Sequence, residues 1–147
     1  MSKQIRITKA FKFEMAHALH GYDGLCKNIH GHSYRLWVTL KGVVRNEQGH
    51  TKDGMVMDFD VIKQIVKIDI VEKYDHSLVL NANSPHAEID LSAFEKVFYL
   101  PYQPTSENLV SDFAEIIKQK LPVDIHLHKV VLSETATSFA EWHTDDN

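Results

Sequence analysis

Two long stretches of alternating character, separated by one short loop, constrain this chain more than any other feature. In KQIRITKAFKFEMAHA (3–18), Phe11, Phe13, Met15 and His17 share one side while Lys12 and Glu14 share the other, the period of two that a strand requires. After the loop at 19–29 the alternation resumes. His30, His32, Tyr34, Leu36, Val38 and Leu40 fall on one face of a second strand that runs to about Val44. RNEQGHTKDG (45–54) is polar, contains Gly49 and Gly54, and reads as a turn. The pattern predicts two long antiparallel strands joined through a histidine-bearing loop, with one face of each to be covered.

The cover is supplied further on. PTSENLVSDFAEIIKQKLP (104–122) is the clearest helix. Thr105 or Ser106 can cap it, Leu109, Val110, Phe113, Ile116, Ile117 and Leu121 form its apolar face, and Pro122 follows its end. In MDFDVIKQIVKIDIVEKYDH (57–76), Asp58 is a candidate N-cap and Ile62, Ile65, Val66 and, less neatly, Ile70 give a helical stripe. Val66, Ile68 and Ile70 also alternate, so a strand competes there, and helix is the preferred assignment. LNANSPHAEIDLSAFE (80–95) carries no clear period and reads as an irregular excursion, followed by a short strand at KVFYL (96–100). IHLHKVVLSETATSFAEWHT (125–144) holds one or two β-rich strands turning near 135–138. The expected order is β-β-α-α-β-β, an α+β fold with an antiparallel sheet and helices on one face.

Bulk properties narrow the function. The 147 residues are 44% hydrophobic and 24% charged, a balance that suits one folded domain spanning 1–147 rather than a disordered chain. A net charge of −4 speaks against a nucleic-acid-binding surface, though it leaves room for a local basic pocket. The start, MSKQIRITKAF, has no long apolar core of a signal peptide, and no run of about 18 apolar residues is present to span a bilayer. The single cysteine cannot form an internal disulfide, which fits a reducing cytoplasm.

The chemistry concentrates in CKNIHGHSY (26–34). Residues i and i+2 of a strand point the same way about 7 Å apart, so His30 and His32 can converge on one ion. His17 lies on the core-facing side of the preceding strand and can complete a three-nitrogen site. Three imidazoles with a fourth position open suit a catalytic zinc, whereas a structural zinc wants four protein ligands. His126 and His128 repeat the i, i+2 spacing without a third partner in register, and read as ordinary strand residues. Cys26 could be a fourth ligand, a base or nucleophile whose thiolate is favoured beside positive charge, or a buried bystander. At this level all three stay open.

FEMAH (13–17), CKNIHGHSY (26–34), YDH (74–76), PTSEN (104–108) and SET (133–135) occur in this order. Together they resemble the 6-pyruvoyl-tetrahydropterin synthase family, and most of all its bacterial branch, the 6-carboxy-tetrahydropterin synthases of queuosine biosynthesis. The three-residue gap between Cys26 and His30 leans toward that branch. Two departures stand out: Met15 occupies a position where a smaller residue is common, and about 81–95 looks like an insertion, suited to a lid or an oligomer contact.

The resemblance implies a tunnelling fold, a four-stranded antiparallel sheet backed by two helices, in a homo-oligomer of trimers stacked as hexamers with active sites between subunits. It implies a zinc-dependent lyase whose small-molecule substrate is 7,8-dihydroneopterin triphosphate and whose product is 6-carboxy-5,6,7,8-tetrahydropterin, without nucleic-acid or membrane partners. His17, His30 and His32 would hold Zn2+, Cys26 would be the general base, and Asp75 and His76 a proton-shuttling pair. Glu134 would anchor the pterin and join the proton relay, with Thr105 and Ser106 near the pterin. Lys9, Lys12, Lys27 and Arg35 are candidates for the triphosphate only by closeness in sequence. The pyruvoyl synthase reaction on the same substrate is the alternative within the family. A non-catalytic metal-binding module with Cys26 as fourth ligand is the alternative outside it.

Overall fold

The computed structural model describes residues 3–147. Strands β1 (Gln4–His17) and β2 (His30–Val43) form a continuous antiparallel ladder, from Gln4 opposite Val43 to His17 opposite His30. Alternation sorts their side chains as expected: Phe13, Met15, His17, Tyr34, Leu36, Val38 and Leu40 are buried on one face. Helix α1 (Phe59–Val66) starts at Asp58, whose carboxylate accepts from the Asp60 N–H at 2.9 Å. It runs on through a wider, π-helical turn over Lys67–Glu72. Helix α2 (Ser106–Lys118) is capped by Thr105, whose hydroxyl accepts from the Asn108 N–H at 3.2 Å.

Four further strands complete the sheet: β3 (Ser77–Asn81), β4 (Val97–Leu100), β5 (His126–Ser133) and β6 (Phe139–His143). The spatial order is β4-β3-β1-β2-β5-β6. The α+β class holds, but among the described residues the sheet has six strands rather than four, and it is mixed, since β3 runs parallel to both β1 and β4. β3 escaped the sequence reading for a physical reason. It is a five-residue strand, SLVLN, in which Ser77, Val79 and Leu80 are all buried. A strand covered on both faces loses the alternation by which strands are recognised.

One core lies between the sheet and the two helices. Phe113, Leu109 and Ile117 of α2 and Ile62 and Val66 of α1 pack with Phe13, Tyr34, Leu36 and Leu132 of the sheet. The β2–β5 ladder slips by one residue at Thr39–Leu40, leaving His128 as the extra residue of a bulge, buried at 5% exposure. His126, by contrast, is exposed. No helix among the described residues is long and apolar enough to cross a membrane.

Candidate functional site

The last rung of the β1–β2 ladder places His17 opposite His30, and the rung before it places Met15 opposite His32. Strand alternation then turns all three imidazoles to the same side, and their ligand nitrogens lie within 4.8 Å of one another. Two of the rings are locked. His17 Nδ1 is 2.6 Å from the Pro104 carbonyl oxygen, and His30 Nδ1 is 2.7 Å from that of Asn28. A carbonyl only accepts, so each Nδ1 carries the proton and each Nε2 presents a lone pair. Those two Nε2 atoms face each other at 3.0 Å. Two lone pairs at that distance repel unless a cation lies between them. Carbonyl-held rings converging through Nε2 are the outer-shell arrangement of a histidine metal site, so the residues fit a metal ion.

Electrostatics agree with that fit. Burial, helped by the neighbouring His30 and His32, lowers the His17 pKa to about 4 against the opposing pull of the Pro104 carbonyl. His32 is also lowered, chiefly by burial, with Glu134 acting the other way. Neutral imidazoles are the form that binds metal. A carboxylate stands close by: Glu134 Oε1 is 3.9 Å from His17 Nε2. Glu134 lies one residue beyond β5, not within it, and its N–H bonds the Ser138 carbonyl across the β5–β6 turn.

The other sequence candidates divide into two groups. Thr105 and Ser106 follow Pro104 directly, so the start of α2 borders the histidine cluster. Thr105 is committed to its cap, and the buried Ser106 hydroxyl donates to the Glu107 carboxylate at 2.8 Å. Cys26 sits in a short helical turn, Leu25–Lys27, outside the three-histidine group; its thiol is half-buried and unpaired by any disulfide. Lys27 shares that turn.

Asp75 and His76 form the expected pair, with His76 Nδ1 3.0 Å from Asp75 Oδ2. Adjacent residues meet this way because His76 adopts a left-handed backbone, φ 62°, where the helical run ends and β3 begins. Asp75 is fixed by the Glu14 N–H at 2.8 Å, and that bond is the main reason its pKa is lowered. His76 in turn donates its N–H to the Glu14 carbonyl. The pair therefore stands level with Glu14 and outside the three-histidine cluster. An open cleft of about 370 Å³ there is lined by Glu14, Ala16, Gly31, Ser33, His76 and Ser77, and reaches His32. Within one chain, Asp75 and His76 do not join the histidine cluster. Lys12 and Arg35, opposite each other in the ladder, lie on the sheet face away from the three histidines.

Three participants were not singled out from the sequence. The carbonyls of Asn28 and Pro104 carry no sequence signal, being backbone groups. Tyr34 does carry one, since it continues the His30–His32 face. Its ring meets those of His32 and His17 edge-on at 5.5 and 6.3 Å, and it is fully buried with no hydrogen-bond partner for its hydroxyl among the described residues.

Together these features define a protein with a three-histidine cluster that could hold a metal ion, at the end of an antiparallel hairpin and bordered by the start of a helix. Residues 6–145 match the family described as 6-pyruvoyl tetrahydropterin synthase, and the chain belongs to that family. A relative from Haemophilus influenzae named 6-carboxy-5,6,7,8-tetrahydropterin synthase is 34% identical over 143 residues, covering 93% of this chain and 97% of its own. One of the same name from Aquifex aeolicus is 33% identical, covering 92% and 96%. Among solved structures, the 6-pyruvoyl tetrahydropterin synthase of Plasmodium falciparum superposes with a TM-score of 0.72 at 22% identity, over 96% of this chain and 98% of that one. That of Caenorhabditis elegans gives 0.67 at 24% identity, covering 96% of each. The expected tunnelling fold is thereby borne out.

Proposed function

We propose that this chain is a zinc-dependent carbon–carbon lyase that converts 7,8-dihydroneopterin triphosphate to 6-carboxy-5,6,7,8-tetrahydropterin, releasing acetaldehyde and triphosphate, as a step toward queuosine and other 7-deazapurines. The observation that carries the reading is the pair of carbonyl-locked imidazoles, His17 and His30, whose Nε2 atoms face each other with His32 alongside. The names of the relatives at 33–34% identity support the product.

His17, His30 and His32 would hold the zinc and leave a position open to the substrate's side-chain hydroxyls. Bound there, zinc makes such a hydroxyl far more acidic. Everything else falls to the protein. Glu134, beside the histidines, receives the paired N–H donors of the pterin edge with its two oxygens, a charge-assisted contact that also sets orientation. Thr105 and Ser106 border the same space from the start of α2. Cys26, kept off the metal, takes the side-chain proton as thiolate. Asp75 orients His76, which passes protons on.

A neighbouring chain supplies that last pair, because in its own chain it lies outside the three-histidine cluster. The active assembly is therefore a homo-oligomer, a trimer or hexamer of this fold. The exposed Leu25 and Ile29 flanking Cys26, and Leu91 and Phe94 of the 81–95 segment near His76, supply apolar surface for such a contact. A cytoplasmic setting fits the lone thiol.

Mass analysis of the products from dihydroneopterin triphosphate tests the reading. The expected result is 6-carboxytetrahydropterin with acetaldehyde. A pterin that keeps all its side-chain carbons would mean the pyruvoyl synthase reaction, and no turnover by zinc-loaded oligomer would favour a non-catalytic metal module.

A further inference from the structure

The face of the sheet turned away from α2 and the metal histidines has an unfavourable charge arrangement. In the β1–β2 ladder Lys12 stands directly opposite Arg35, and Arg6 directly opposite Lys41. Like charges so placed weaken an antiparallel pair. No carboxylate lies within ion-pair distance of any of the four among the described residues. The carboxylate next along that face, Glu14, accepts instead from the Ser33 hydroxyl at 2.7 Å. This strip of cations belongs to a chain of net charge −4, so its sign runs against the molecule as a whole.

A second observation gives the charge a shape. Ala10 lies opposite Trp37, a small residue facing a large one. Beside them is a hollow of about 270 Å³ lined by Ala10, Phe11, Lys12, Arg35 and Trp37. Lys12 and Arg35 give it two cationic walls, Phe11 and Trp37 are its aromatic residues, and no acidic residue is among those that line it.

We propose that this hollow binds a polyphosphate chain, with Arg35 and Lys12 on its oxygens and the Trp37 indole against it. The planar guanidinium of Arg35 matches two phosphate oxygens at once, and Lys12 adds a compact charge on a flexible stem. A monocarboxylate would neutralise only one of the two cations, whereas a polyphosphate neutralises both. Arg6 and Lys41, six residues along the strands and so roughly 20 Å away, are too far to touch the same small ligand; they strengthen the field that attracts it. The site is separate from the metal centre in the chain, since strand alternation places the two on opposite faces. It does not depend on the proposed reaction.

Inorganic triphosphate and ATP share this chemistry and serve as the two probes, titrated calorimetrically into the purified oligomer at low salt. Trp37 fluorescence, read in a Trp142→Phe background that leaves one tryptophan, reports whether binding occurs at the hollow. Saturable binding with a change in Trp37 emission is expected. Arg35→Gln and Lys12→Gln should each weaken it roughly tenfold or more, by loss of a charged contact, and rising salt should weaken it steeply. Equal affinity for the two probes assigns recognition to the phosphate chain alone, while tighter ATP assigns the indole a base to stack on. No binding overturns the proposal. So does binding that leaves Trp37 emission unchanged and survives in the Arg35→Gln/Lys12→Gln double variant, which would locate the anion elsewhere, at the metal centre for instance.

Discussion

Tyr34 shows how much a single residue of this site is shaped by its surroundings. Its ring meets that of His32 edge-on and lies parallel to Phe13 at 5.3 Å, yet its hydroxyl, fully buried, has no partner among the described residues. Burial first, and the Glu134 charge second, push its pKa far up, so it stays a neutral phenol. An unpartnered buried hydroxyl costs about 1–3 kcal/mol. Tyr34→Phe should therefore leave the ligand-free protein as stable as before, or more stable by about 1 kcal/mol, in a urea titration. A loss of more than that would mean the hydroxyl has a partner. The metal assignment makes its own residue-level demand. His30→Ala and His32→Ala should abolish metal binding and turnover together. Cys26→Ala should keep the metal and lose turnover by roughly 10²-fold or more, the scale of a general base. Metal analysis of the purified variants separates these outcomes, and an empty site in Cys26→Ala would make the thiol a ligand.

At the scale of elements, the junction between the helical run and β3 carries the most information. His76 sits at φ 62°, a conformation that β-branched residues adopt poorly and Gly and Asn adopt readily. His76→Gly and His76→Asn should thus unfold at the same urea concentration as wild type, or higher, while losing activity. His76→Val should be less stable by about 1–2 kcal/mol. Equal stability in all three would show that the backbone there is not held in the left-handed form. The same junction explains what could be read in advance. The long ladder, the capped α2 and the convergence of His17, His30 and His32 were legible because each rests on a period or an i, i+2 spacing. β3 was not, because burial on both faces erased its alternation. Nor could chain order set Asp75 and His76 apart from the histidine cluster, or bring Glu134, more than a hundred residues from His17, to 3.9 Å of its ring. Those facts come from strand order and register, which local pattern does not encode.

The whole molecule responds to acid through the same buried imidazoles. His17 titrates near 4 in the folded chain and near 6.5 when exposed, so in that interval the unfolded state binds the extra proton. Stability is then complete above about pH 7 and declines as pH falls from 6.5 toward 4, by up to about 3 kcal/mol from this group. His32 and His128, both lowered first by burial, act in the same direction. Urea midpoints of metal-free protein across that range should fall accordingly, and a flat profile would contradict the burial of His17. Assembly sets the other whole-molecule expectation. The Asp75–His76 pair lies outside the three-histidine cluster of its own chain, so on the proposed reaction a working site takes the histidines from one chain and the pair from its neighbour. Two inactive variants should then rescue each other. His30→Ala lacks the metal set but offers an intact His76; His76→Ala lacks the proton shuttle but offers an intact metal set. When the two are unfolded together, mixed in equal amounts and reassembled with zinc, each site draws its two halves independently. About a quarter of sites in a random closed oligomer would receive both good halves, so activity should return to about a quarter of the wild-type value from parents that have almost none. If both halves came from the same chain, every site would carry one lesion, and the mixture would stay as inactive as its parents.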